Sequence, residues 1–161
     1  MRIGYGCDTH RLKEGRPLVL GGVSIRHDKG LLGHSDADVL AHAVIDALLG
    51  AAALGDIGAH FPDTDAAFAG ANSMALLAQT VDMVKAAGYR VENIDAVVLA
   101  QMPKLLPYME QIRKSLAKCL EIDIQKVSVK AKTNEGMDAV GRCEGMEARC
   151  VCLLETASGG L

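Results

Sequence analysis

Asp8, His10 and His42 are the residues of this 161-residue chain whose types and spacing point most directly to chemistry. Asp8 and His10 lie two apart in the opening run IGYGCDTHRL, so in an extended segment both side chains leave one side of the backbone while Thr9 leaves the other. His42 sits among Leu40, Val44, Ala47, Leu48 and Ala51, which recur at helical spacings, but it falls off that apolar stripe. A carboxylate and two imidazoles drawn from a strand and a helix can hold zinc through three bonds and leave a fourth position open, as catalytic sites do. At about 100° per residue, Asp38, His42 and Asp46 share one arc, which predicts that Asp38 or Asp46 holds the second ring nitrogen of His42. The alternative from the same residues is a polar strand end and an amphipathic helix with a hydrogen-bonded histidine.

The elements that must position these groups follow from the surrounding pattern. Residues 2–7 read as a strand, and after the Gly15-Arg16-Pro17 turn, Leu18, Val19 and Leu20, with Val23 and Ile25 beyond a glycine pair, read as its hairpin partner. Ser35 or Asp36 can cap a helix running from about residue 38 to 49. Residues 55–65 form a loop dense in Gly, Pro and Asp, of the kind that carries ligand contacts. Asn72 or Ser73 caps a second helix, with Met74, Leu77, Val81 and Val84 on its apolar side and Gly88 as its stop. A buried-strand run, IDAVVLA, ends in Gln101, Met102, Pro103 and Lys104 before Pro107 opens a third helix to about residue 120. Strands follow at 127–133 and 146–155, and residues 157–161 read as a loose tail. This order predicts an α+β, two-layer fold with a mixed or antiparallel sheet and helices on one face, in a single domain over residues 1–161. The uncovered sheet face predicts homo-oligomerisation.

Half of the residues are hydrophobic but 3% are aromatic, so the core must be built from Ala, Val, Leu, Ile and Met. A net charge of −3 without a basic run excludes a nucleic-acid surface, which needs concentrated Lys and Arg. No apolar stretch reaches the roughly 20 residues of a membrane span, and the opening residues hold no signal-like apolar run, so a cytoplasmic chain without a membrane role is expected. Five cysteines without paired zinc spacing are expected to be reduced thiols.

Taken together, IGYGCDTHRL, LGGVSI, GLLGHSDADVLAHAVIDALLGAAALGDIGAHFPDTD, AQMPKLLPY and VKAKTNEGMDAVGRCEG resemble the 2-C-methyl-D-erythritol 2,4-cyclodiphosphate synthase family over essentially the whole chain. The resemblance implies a homotrimer with inward-facing sheets and active sites between subunits. It implies a cytidine diphosphate substrate, 4-diphosphocytidyl-2-C-methyl-D-erythritol 2-phosphate, whose 2-phosphate attacks the β-phosphorus and expels CMP. On this resemblance Asp8, His10 and His42 match zinc ligands, and Glu135 matches the ligand of a bridging magnesium or manganese ion. His34 and Thr133 match transition-state stabilisers, the residues assigned to catalysis.

The same resemblance places Ser35 at the 2-phosphate, and Asp56, Ile57 and Gly58 at the erythritol hydroxyls. Phe61, Pro62, Asp63, Thr64 and Asp65 match a substrate-contact loop, and Ala100, Gln101, Met102, Pro103, Lys104, Leu105 and Leu106 match a cytosine loop. Lys132, Asn134 and Arg142 complete the substrate set. Two departures stand out: Ala139 occupies a position that is aromatic in many members, and Lys132 replaces a small hydroxyl residue. Two rivals bracket this reading, a phosphohydrolase using the same open metal and a scaffold in which the metal only staples strand to helix.

Overall fold

The structure, a computed structural model, describes residues 1–157; of the tail expected at 157–161, residues 158–161 lie outside the described residues. The elements are β1 (Arg2–Glu14), β2 (Leu18–Leu20), β3 (Val23–Ile25), β4 (Lys29–Leu32), α1 (Val39–Ala52), α2 (Ile57–His60), α3 (Ser73–Ala86), β5 (Tyr89–Leu99), α4 (Met109–Leu120), β6 (Val127–Lys132), α5 (Asp138–Gly141) and β7 (Gly145–Thr156). Five strands make one mixed sheet in the order β4-β1-β7-β5-β6, in which only β5 and β6 run parallel. One apolar core lies between this sheet and α1, α3 and α4, with Leu48, Leu77, Ile94, Leu116 and Leu154 fully or nearly fully buried. The α+β expectation, with helices on one face, holds.

The hairpin expectation does not. The 18–25 segment pairs with itself as a separate β2-β3 ribbon, and β1 takes β4 and β7 as neighbours. Length explains the choice: β1 has 13 residues of backbone donors and acceptors to satisfy, which a three-residue β2 cannot do but the 12-residue β7 can.

Helix α1 packs unusually close to β1. An added Cβ at Gly4 would stand 1.9 Å from the Ala47 carbonyl oxygen, and one at Gly6 would stand 2.1 Å from that of Ala43. The side of β1 that faces the helix therefore reads Gly4, Gly6, Asp8, His10 and Leu12, with two absent side chains followed by two polar ones. The helix starts where Asp38, its buried N-cap, accepts the Ala41 N–H at 3.0 Å, and the same carboxylate takes the N–H groups of Gly21 at 2.9 Å and Gly22 at 2.7 Å. The cap thus ties the β2-β3 turn to α1. Asn72 caps α3 as expected, and Gly88 follows its end with φ +84.

The opposite sheet face carries Ile3, Tyr5 and Val151, which are 75%, 58% and 46% exposed and neighbour one another across β1 and β7. None of the five cysteines is disulfide-bonded; Cys150 and Cys152 are buried in the core, Cys7 is exposed, and burial pushes the Cys152 thiol up to about 11. Among the described residues no helix is long and apolar enough to cross a membrane.

Gly6→Ala should lower stability by about 1–3 kcal/mol, the usual cost of overpacking, because its new methyl meets helix backbone rather than a yielding side chain. Denaturant titration checks this, and an unchanged midpoint would mean that the glycines do not set the spacing between strand and helix.

Candidate active site

The close approach of α1 to β1 brings Asp8, His10 and His42 together. Asp8 Oδ2 lies 2.9 Å from His10 Nε2 and 3.0 Å from His42 Nδ1, and the two ring nitrogens are 3.2 Å apart. His10 is oriented by its other nitrogen, which donates to the Leu32 carbonyl at 2.8 Å and so leaves a lone pair on Nε2 facing the cluster. An oxygen and two nitrogens meeting at this range are a borderline-hard donor set with room for one small cation, and the set fits zinc. Electrostatics agree: burial alone would push the Asp8 carboxyl up, but hydrogen bonds from His10 and His42 in their protonated forms outweigh it and hold Asp8 well below the usual carboxylate range. Burial pulls the His10 imidazole down, and the hydrogen bond and charge of Asp8 more than reverse this and raise it.

A cavity of about 410 Å³ opens beside the cluster, lined on its polar side by His34, Ser35, Asp63 and Gly58 and on its apolar side by Phe61, Pro62, Phe68 and Leu76. Its outer wall is the 56–65 loop. Asp56 caps α2 by accepting the Ala59 N–H at 2.9 Å, and Asp46 of α1 accepts the Ile57 N–H at 2.8 Å, which pins the loop to the helix that carries His42. Phe61 meets Phe68 edge to face at 5.5 Å, and His34 Nε2 donates to the Asp65 carbonyl at 3.2 Å to close the rim.

A second cavity, about 190 Å³, lies at the C-terminal ends of β5 and β6 between Ala100, Gln101, Pro103, Lys104, Leu105, Leu106, Lys132 and Thr133. Thr133 donates to Glu135 at 2.9 Å, and the Gln101 side chain accepts the Gly136 N–H at 3.2 Å, joining the two loops. Glu135 is exposed at φ +50, and among the described residues its second oxygen has no protein partner. One carboxylate open to solvent is a hard oxygen ligand of the kind that magnesium or manganese takes. In the sheet, β7 separates β1 from β5, and β6 lies beyond β5, so the second cavity, at the ends of β5 and β6, stands two to three strand spacings from β1, about 10–14 Å at the usual interval. A larger groove between α3, α4 and β5 has its cations already matched, Lys85 with Glu121, Arg90 with Glu155 and Lys126 with Glu92.

The profile of the YgbB family matches residues 1–155. The chain belongs to the YgbB family. A 2-C-methyl-D-erythritol 2,4-cyclodiphosphate synthase from Chromobacterium violaceum is 60% identical over 156 residues, covering 97% of this chain and 99% of that one. The bifunctional IspDF from Campylobacter jejuni superposes with a TM-score of 0.93 at 46% identity; the match covers 96% of this chain and spans 42% of that longer one. A 2C-methyl-D-erythritol-2,4-cyclodiphosphate synthase solved in a CDP-bound form superposes at 0.89 with 41% identity, over 96% of this chain and all of that one.

Within this YgbB-family fold the three expected zinc ligands meet, and His34, Ser35, Ile57, Gly58, Phe61, Pro62 and Asp63 gather around them. Asp56, Thr64 and Asp65 flank that cavity without lining it, the Asp65 carboxylate being used to cap the Ala66–Phe68 turn through the Ala67 N–H. Met102, Asn134 and Glu135 adjoin lining residues of the second cavity along the chain without lining it. Arg142 lines neither and pairs with Glu144 at 2.8 Å.

One expectation is corrected: neither Asp38 nor Asp46 holds the outer nitrogen of His42, because both carboxylates are occupied by backbone N–H groups. Ser73 at 2.9 Å and Ser35 at 3.2 Å take that place. Sequence reasoning also missed Phe68 and Leu76, whose apolar types carry no signal apart from core, and Ser73, legible only as a helix start.

In metal-free protein the two shifts have opposite signs. The depressed Asp8 contributes stability above its unfolded value of about 4 and loses it as pH falls. The raised His10 contributes fully below its unfolded value of about 6.5 and loses it as pH rises through the folded one. Stripped protein should therefore be most helped by this pair between about pH 4 and 6.5, and His10→Gln should flatten the alkaline decline in denaturation midpoint; an identical decline in the variant would assign it to another group.

Proposed function

We propose that this chain is a 2-C-methyl-D-erythritol 2,4-cyclodiphosphate synthase, converting 4-diphosphocytidyl-2-C-methyl-D-erythritol 2-phosphate to the 2,4-cyclodiphosphate and CMP in isoprenoid precursor biosynthesis. The observation that carries the reading is the convergence of Asp8, His10 and His42 beside a cavity with polar and apolar walls, in a chain 60% identical to a protein of that name. Zinc held by Asp8, His10 and His42, and magnesium or manganese held by Glu135, would supply Lewis acidity and charge neutralisation at the diphosphate.

The chain's own residues then have a positioning task. The attacking 2-phosphate is already anionic near neutral pH, so no general base is required, and the difficulty is holding two anionic groups in line. The Ser35 hydroxyl binds the 2-phosphate. Asp56 and Gly58, on an α2 anchored through Ile57 to Asp46, bind the erythritol hydroxyls. His34 and Thr133 approach the reacting phosphates as donors, and losing one such donor costs on the order of a hundredfold or more in rate. Backbone groups of residues 100–106 read the cytosine edge, beside Lys104 and Lys132 as the cations of that cavity. Phe61, Phe68 and Leu76 keep water from the cluster side, which favours ring closure over hydrolysis.

A metal-side cavity and a nucleotide-side cavity about 10–14 Å apart in one subunit are too separated to share one diphosphate. A homotrimer in which the exposed Ile3, Tyr5 and Val151 face turns inward brings the metal side of one subunit to the nucleotide side of the next. The reaction belongs to a single-domain cytoplasmic enzyme.

Purified protein incubated with the cytidylyl substrate and magnesium should give stoichiometric CMP and two coupled ring phosphorus signals by NMR. Linear phosphates with CMP would replace the reading with hydrolysis, and no turnover with zinc bound would leave a scaffold. Shared sites make a second prediction. His10→Ala and Thr133→Ala should each be nearly inactive alone, while a randomly co-assembled equal mixture should regain up to about a quarter of wild-type turnover, because a quarter of interfaces then combine two intact halves. Mixed assemblies as inactive as their parents would place the whole site within one subunit.

A further inference from the structure

The outer nitrogen of His42 opens a hydrogen-bond chain that leads away from the substrate cavity. His42 Nε2 lies 2.9 Å from the hydroxyl of Ser73, the first residue of α3, which is fully buried. The Ser73 hydroxyl in turn contacts Asp36 Oδ1, the Ser73 backbone N–H donates to Asp36 Oδ2 at 3.0 Å, and the Asp38 N–H donates to Asp36 Oδ1 at 3.2 Å. A carboxylate met by two backbone donors can only accept, so the hydroxyl proton of Ser73 points to Asp36. Ser73 Oγ is then left as an acceptor toward His42, and the proton between them must sit on the imidazole Nε2. On the other side of the ring Nδ1 faces Asp8 at 3.0 Å and His10 at 3.2 Å: a cation in the cluster would meet a lone pair there, whereas without one the Asp8 carboxylate is a second acceptor that competes for the ring proton.

With Asp8, His10 and His42 read as metal ligands as above, we propose that Ser73 and Asp36 are positioning residues that hold His42 in the Nε2–H tautomer and so keep its Nδ1 available to the metal. Ser35 makes the arrangement informative. Its hydroxyl lies 3.2 Å from the same nitrogen and accepts the Ala37 N–H at 3.1 Å, so its own proton is free to turn toward His42 whenever Nε2 lacks one. Ser35 alone does not select a tautomer; the carboxylate behind Ser73 does. Orientation of a metal-bound imidazole by a hydroxyl and carboxylate behind it is a recognised way to strengthen the ligand, and breaking such support costs about 10–100-fold in metal affinity.

The test is the nitrogen-15 to ring-proton spectrum of the histidines in metal-stripped protein at mildly alkaline pH, with zinc affinity measured beside it by chelator competition. In an Asp8→Ala background, which removes the acceptor facing Nδ1, His42 should show the Nε2–H pattern, and an Nδ1–H pattern there overturns the proposal outright. Ser73→Ala keeps both the Asn72 cap and the backbone bond from residue 73 to Asp36, so α3 should still form. Added to the Asp8→Ala background it should show Nδ1–H character at His42, and introduced alone it should bind zinc about 10–100-fold more weakly; Asp36→Asn, a poorer acceptor, should move both readouts the same way. An unchanged tautomer in both variants, or a changed tautomer with zinc affinity within twofold of wild type, refutes the relay. A wild-type protein that holds zinc with Nε2–H on His42 yet forms no cyclic product overturns the cyclisation reading and leaves the relay standing.

Discussion

The backbone-to-backbone approach of α1 and β1 is the constraint on which the rest of the molecule depends. Gly4 and Gly6 leave no side chain between strand and helix, so carbonyl groups of Ala43 and Ala47 sit where Cβ atoms would otherwise stand. The next two positions on that side of the strand are Asp8 and His10. A helix seated this deeply delivers His42, one residue before Ala43, within 3.0 Å of Asp8. With ordinary side chains at Gly4 and Gly6 the helix would ride higher, and the three donors would not share one point.

Polar groups put under this packing are each answered by a partner. Asp38 spends its carboxylate on Gly21, Gly22 and Ala41, Asp46 on Ile57, and Asp36 on Ser73 and Asp38, so three aspartates of one stretch hold a turn, a loop and a second helix against α1. Among the described residues no buried side-chain nitrogen or oxygen lacks a hydrogen-bond partner. Unpaired, such groups would cost about 1–3 kcal/mol each, so the network that orients the cluster also contributes to keeping the fold specific.

The sheet sets a second limit. Strand order puts Asp8 and His10 on β1 and the lining of the second cavity at the ends of β5 and β6, with β7 between β1 and β5. A sheet does not fold its second or third neighbour onto its first, which is why the function proposed above includes a neighbouring subunit that supplies the other half. The same assembly would cover Ile3, Tyr5 and Val151, turning an exposed apolar strip into an interface while Asp95 and Lys130 on that face stay paired at 2.6 Å.

Period and residue type were enough for much of this: the α+β class, helices α1, α3 and α4, the caps near Asn72, and Asp8 and His10 on one side of a strand all follow from local rules. The metal triad was legible because a D-x-H pair and an off-stripe helical histidine are unusual, and the wider motif resemblance named residues on both cavities. Strand partnership was not legible, since β1 could have been served by the next segment and instead pairs with the last; pairing is decided by which long strand satisfies the most backbone groups. Nor was the support of His42. Helical spacing nominates Asp38 and Asp46, but those carboxylates face backbone donors contributed by the β2-β3 turn and α2, and the hydroxyl that reaches the ring comes from α3. Which side chain a residue faces within its own element is written in the sequence, whereas which donor from another element arrives first depends on how the elements pack, and only the tertiary structure decides that.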